Sequence, residues 1–352
     1  MKTVLYPAIA LMNRLSFGMK FSLISVLFFL PMLVTNFYLV RDSYRQFIST
    51  QAALESIDLL GEAMVLRRSL EDYVDLIEIN AMIGQSGQAG DLESRLSKQQ
   101  SQITQILQAL APVAREAEQI EEFNAKRDEL NAELEAIQRE TSLQGKIALA
   151  EKLLGSSQVF IKLVASQAGL SQDREGAVRQ MVELVAVVTP RVSGALSEGR
   201  ALGAYSLGQG FLNSSASTQF DELLLELEKL HGEYDLNLQE SLNSSPEARA
   251  ALASLAAESL ESLKSSAVVF EDQVVIADSL DTPWLQFYEE ISSAMGKTYA
   301  LNDAVLVFLD GQLQARLQDN RSQMIFLVAA LVVVFLLIVY LYGGFYVSIR
   351  AT

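Results

Sequence analysis

The 352-residue chain contains no cysteine and a single histidine, His231. Without thiols there is no disulfide framework, no thiolate metal site and no cysteine nucleophile. One imidazole removes most metal clusters and every Ser-His-Asp arrangement that needs a well-placed imidazole. His231 stands among acids, in Leu230-His231-Gly232-Glu233-Tyr234, where a solvated or packing role is the simpler reading. No Gly-rich phosphate loop and no convergent carboxylate pair can be recognised from spacing. Glu121-Glu122 and Glu289-Glu290 read as solvated faces. A membrane-anchored enzyme is therefore the weakest reading, and no catalytic residue, metal or cofactor is expected.

Charge is missing from two stretches. From Phe21 to Val40, and again from Ser322 to Ile349, there is no Asp, Glu, Lys or Arg. A helix needs about 20 apolar residues to cross the hydrocarbon layer, and both stretches reach that length. The apolar core of the first is too long for a cleaved signal peptide, and no small-x-small site follows it, so it reads as a retained anchor. Lys2, Arg14 and Lys20 precede the first stretch and Arg350 follows the second. Positive flanks stay inside. Both ends of the chain are then expected in the cytoplasm, with residues 41–321 outside the membrane.

That outer segment holds all 43 acids and 23 of the 27 bases, a formal charge of −20. Nucleic acid is excluded as a partner, because its backbone demands a basic surface. An anionic ligand would need a local basic pocket within a repulsive field.

Period-two alternation is absent, and apolar residues recur at three and four. Leu92, Leu96, Ile103, Ile106, Leu107 and Leu110 make one stripe. Leu130, Leu134 and Ile137 make a second, and Leu223, Leu224, Leu227, Leu230 and Tyr234 a third. Ser245-Pro246 and Thr282-Pro283 read as helix starts. Thr189-Pro190 is a third start or a kink. Gly84–Gly90 and Gly208–Ser217 read as loops. The expected helices run from the membrane to about 83, then roughly 91–110, 113–140, 143–168, 173–207, 217–242, 246–278 and 283–342. The fold class is all-α: two transmembrane helices flanking a periplasmic domain of one or two stacked four-helix bundles. The divisions are a flank 1–20, a span 21–40, helical halves 41–171 and 172–321, a span 322–346 and a stub 347–352.

A short motif recurs. Arg68-Ser-Leu-Glu-Asp-Tyr73 and Arg200-Ala-Leu-Gly-Ala-Tyr205 both read Arg-small-Leu-x-x-Tyr, each late in the first helix of its half. Arg68 has Glu71 and Asp72 three and four residues on, and Arg67 has Glu71 four on, so both can pair along their own helix. Arg200 has no acid within helical reach. A buried arginine must be compensated. A carboxylate on another helix would do it, and so would an anionic ligand held by the guanidinium. Arg200, Arg68 and Arg67 are the candidate ligand-binding residues, with the hydroxyls of Tyr205 and Tyr73 beside them. Ala195, Gly199 and Gly203, spaced by four, allow close helix packing. Trp284, Phe287 and Tyr288 read as core, with an aromatic lid as the alternative.

The stretch Pro190-Arg-Val-Ser-Gly-Ala-Leu-Ser-Glu-Gly-Arg-Ala-Leu-Gly-Ala-Tyr205 resembles the Leu-Gly-x-x-Arg-x-Leu-Gly segment of helical sensor regions in proteobacterial methyl-accepting chemotaxis proteins. Related sensor kinases and diguanylate cyclases carry it too. Val339-Tyr-Leu-Tyr-Gly-Gly-Phe-Tyr-Val-Ser-Ile-Arg350 is similar to the exit of the second span before a HAMP linker in those receptors. Two helical input classes resemble this layout. One is nitrate/nitrite-sensing, with an arginine from each half at the anion. The other is helical-bimodular, for small carboxylates. The resemblance implies a chemoreceptor input region that is a homodimer, binds a small anion through Arg200 and Arg68 or Arg67, and signals by helix displacement. It places stub 347–352 ahead of an output module, whose absence up to Thr352 leaves two readings: the input portion of a longer receptor, or a protein that signals by contact. The rival reading is a non-enzymatic periplasmic scaffold that docks a partner, for which a periplasmic binding protein is a candidate. The input domain of a sensor kinase or diguanylate cyclase is a further alternative.

Overall fold

The computed structural model describes residues 17–83, 90–114 and 116–351. The flank carrying Lys2 and Arg14, most of the loop expected at Gly84–Gly90, and Thr352 lie outside the described residues. All regular structure among the described residues is helical. The helices are α1 (Phe17–Ile83), α2 (Gly90–Ala109), α3 (Ala117–Arg139), α4 (Leu143–Gln167), α5 (Gly176–Glu183), α6 (Thr189–Gln209), α7 (Ser214–Leu242), α8 (Pro246–Phe270) and α9 (Trp284–Ala351). π-helical turns at Leu184–Val188 and Glu271–Val275 follow α5 and α8 directly.

Local chemistry sets the ends. Ser142, Asn213 and Ser245 cap α4, α7 and α8 by accepting from Gly145 N, Ala216 N and Ala248 N at 3.2, 2.8 and 3.0 Å. Pro246 sits in the first turn of α8, where its missing N–H costs nothing. Gly210 ends α6 in the left-handed conformation, φ 75°, which favours glycine. The loop expected at Gly208–Ser217 therefore narrows to Gly210–Asn213. Pro283 stands at a cap position, its carbonyl accepting from Phe287 N at 3.2 Å.

Thr189-Pro190 does start α6, with Pro190 in its first turn, but the helix continues straight from the π turn before it. The π turn ahead of it is the accommodation. Thr189 N reaches back to Leu184 O, so Val185 O loses its usual donor, and the Thr189 hydroxyl supplies one at 3.2 Å. Pro190 has no N–H for Ala186 O. Gln158 Nε2, from α4, takes that oxygen at 2.6 Å. Each carbonyl freed by the irregularity finds a partner, as buried backbone requires.

Two compact units partition the chain: residues 52–314, and residues 1–51 with 315–352. The junction expected at 171/172 lies inside the first, at the 3₁₀ turn Leu170–Gln172. In that unit Phe123 and Phe160 join α3 to α4 with ring centroids 5.1 Å apart. Phe220, Phe270 and Phe287 form a buried ring ladder at 6.2 and 6.0 Å across α7, α8 and α9. Burying each such ring contributes about 1.5–3 kcal/mol. The rings explain Gly199 and Gly203. A methyl group at Gly199 would collide with the Phe270 ring, and one at Gly203 with the Phe287 ring. The small stripe of α6 thus receives aromatic side chains. Phe287 and Tyr288 are buried, and Trp284 packs against the core.

In the other unit, parts of α1 and α9 turn large apolar side chains outward: Leu27 is 71% exposed, Phe37 65%, Phe326 76% and Leu341 67%. Among the described residues these are the two helices long and apolar enough to cross a membrane, with mean hydropathy 1.2 and 3.3 over their most apolar 18 residues. Asn320 Nδ2 donates to Thr50 Oγ1 at 3.2 Å between them.

A buried arginine–carboxylate ladder as candidate functional site

Arg67, Glu71 and Asp75 recur every four residues on α1, which places them on one face. All three are buried. On α6, Ser193, Ser197 and Arg200 form the matching row, also buried. Ser193 Oγ donates to Glu71 Oε1 at 2.8 Å, and Ser197 Oγ to Asp75 Oδ1 at 2.7 Å. Both pairs are 122 residues apart, so α1 and α6 run parallel in this stretch. α9 runs the opposite way across them, with Tyr299 at the Glu71 level and Ser292 and Tyr288 at the Arg200 level.

Among the described residues Arg200 is the most enclosed cation, 1% exposed. Its Nε donates to Asp75 Oδ2 at 2.7 Å and its Nη1 to Ser292 Oγ at 2.7 Å. Nη2 lies 2.9 Å from Asp72 Oδ1 as an ion pair, at an angle that leaves it without a hydrogen bond. The guanidinium lies over the Tyr288 ring, 4.4 Å from its centroid. The partner missing from its own helix is supplied by carboxylates of α1.

Arg67 pairs along its helix with Glu71 Oε1 at 3.1 Å. It also donates to Leu154 O of α4 at 3.1 Å and to Pro190 O of α6 at 3.4 Å. Glu71 is fully buried and accepts from Arg67, Ser193 and, at 2.7 Å, the Tyr299 hydroxyl. Arg68 is exposed, its guanidinium 4.6 Å from the Tyr299 ring centroid. The two arginines of the repeated motif therefore each lie over a tyrosine of α9. Tyr205 and Tyr73 stand apart from the ladder's bonds. The Tyr205 hydroxyl accepts from Asn213 Nδ2 at 3.3 Å, near the α6–α7 turn. Tyr73 is buried, and burial raises its pKa.

Burial pushes Asp75 well above the ordinary aspartate range, and the Arg200 charge pulls it only part of the way back. Burial also raises the Tyr299 hydroxyl, helped by the Glu71 charge, so it stays protonated and donates. One turn beyond Asp75, Glu78 is pushed up to about 8, first by burial and then by the charges of Asp75, Glu151 and Glu198. Its proton is retained at neutral pH.

The sequence reading missed Asp75, Tyr299, Ser193 and Ser197. The signal for three of them was present: an Arg-Glu-Asp row at steps of four on α1, and hydroxyls at a step of four on α6. His231, half-exposed, lines a groove between α7 and α8. Among the described residues no group of three or more acids or imidazoles is placed to hold a metal ion. No family model, no curated protein and no solved structure matches the chain.

Proposed function

We propose that the chain is the input region of a transmembrane receptor of the chemotaxis-transducer type. In this reading it is a two-pass protein of the bacterial inner membrane and works as a homodimer. The helical unit is periplasmic, built as one or two stacked four-helix bundles, and takes a small anion such as nitrate or a small carboxylate. The observation that supports it is the ladder. Three guanidinium groups and three carboxylates hold α1, α6 and α9 in one register, and α1 and α9 are the two helices carrying apolar spans. An anion competing with Glu71, Asp72 or Asp75 for a guanidinium loosens one helix from another. A shift of about 1–2 Å is the scale on which such helices signal. Arg68, at the exposed edge, is the first guanidinium that a ligand meets.

The test is a thermal-shift series on the full chain in nanodiscs with nitrate, nitrite, phosphate, malate, succinate and acetate. At least one anion is expected to raise the melting temperature through binding. Arg68→Ala is expected to keep the unliganded melting temperature and lose the response. No shift with any anion contradicts the reading, and so does a shift that Arg68→Ala leaves intact. A second reading, a docking scaffold, draws on the exposed apolar side chains Leu225 and Leu236 of α7 and Val268 of α8. Capture of a periplasmic binding protein without any anion response would favour it.

A further inference from the structure

Away from the ladder, a cleft of about 580 Å3 opens between α4, the α5–π segment and α7. That lies within the range of about 300–1,000 Å3 usual for small-molecule sites. Its floor is small and apolar, with Ala165, Val182 and Ala186 all buried. Four charged side chains line it: Lys162 from α4, Arg179 and Glu183 from α5, and Glu240 from α7. All four are exposed, and among the described residues no ion pair joins any of them to another. Elsewhere facing charges do meet. Lys297 and Glu258, in the groove between α8 and α9, are 3.0 Å apart, and Arg191 and Glu233 also 3.0 Å. Arg179 donates to the carbonyls of Asp173 and Arg174.

We propose that this cleft binds a small zwitterion of the amino-acid class, its carboxylate toward Lys162 and Arg179 and its ammonium toward Glu183 and Glu240. A simple anion would gain two cations but meet two acids inside a domain of strongly negative charge. A simple cation would be opposed by Lys162 and Arg179. Only a dipolar ligand satisfies both pairs at once, which is how opposed charges give selectivity. Ala186 and Val187 in the lining belong to the π turn ahead of α6. π turns concentrate at functional sites, and a ligand here presses on the segment that sets the register of α6. The site does not depend on the receptor reading, since a scaffold could carry it equally.

Calorimetric titration of the full chain in nanodiscs with the L-amino acids tests it. For any amino acid that binds, its deamino and decarboxylated analogues follow; for alanine these are propionate and ethylamine. At least one amino acid is expected to bind, with each analogue at least tenfold weaker. Lys162→Gln and Glu240→Gln, both at exposed positions, are expected to leave melting unchanged and weaken binding at least tenfold. Absence of binding by every amino acid overturns the proposal. So does equal binding of either single-charge analogue, or binding that both variants leave intact.

Discussion

Arg200 and Asp75 are each close to fully buried, and neither is stable there without the other. Removing one partner of such a pair strands a charge in low dielectric, at a cost of about 3–5 kcal/mol. Arg200→Ala is expected to lose stability on that scale in chemical denaturation, and Asp75→Asn in the same chain to recover part of it. Equal losses in the single and double variants would mean that the pair is not coupled. Glu78 gives a pH signature. Between the ordinary glutamate value and about 8, the folded chain keeps a proton that the unfolded chain has released. Stability therefore falls as pH rises through that window, by up to about 1.4 kcal/mol per pH unit. Asp75 and Glu198, also raised by burial, add to the fall. Glu78→Gln is expected to raise the melting temperature at pH 8 and leave it unchanged at pH 4. A variant that melts like the wild type at both values would show that Glu78 titrates normally.

At the scale of elements, α6 is shaped by what it must receive. Gly203 stands where the Phe287 ring arrives. Gly203→Ala is expected to cost about 1–3 kcal/mol by overpacking, although alanine favours a helix by about 1 kcal/mol over glycine. Phe287→Leu in the same chain should shrink that cost, as paired unfolding curves would show. The sequence carried much of this level. Apolar stripes at three and four, and the Ser245-Pro246 start, identify helices because they are local. The π turns were not legible, since one extra residue per turn barely disturbs an apolar stripe. Nor were the ladder's cross-helix partners. Arg200 announces that it needs an anionic partner, a carboxylate or a ligand, but that Asp75 supplies it depends on α1 lying beside α6, 125 residues away. Tyr299 reaches Glu71 across 228 residues, a separation no local pattern encodes.

For the whole molecule, the proposed function joins the charge of residues 41–321 to the two apolar helices. Residues 41–321 carry a net charge of −20, which repels anions at long range, so in the proposed reading the guanidinium groups of the ladder act at contact distance. α1 and α9 both contribute to the ladder and both carry an apolar span, so a change in the ladder is a change in those helices. The most direct measurement uses the absence of cysteine. Single cysteines at Val307 of α9 and Leu225 of α7, both exposed, accept spin labels at unique sites in the full chain. Pulsed electron–electron distances are then compared in nanodiscs with and without the anion that raises the melting temperature. A shift of about 1–2 Å in the mean distance is expected, abolished by Arg68→Ala. An unchanged distance distribution at saturating anion would contradict it.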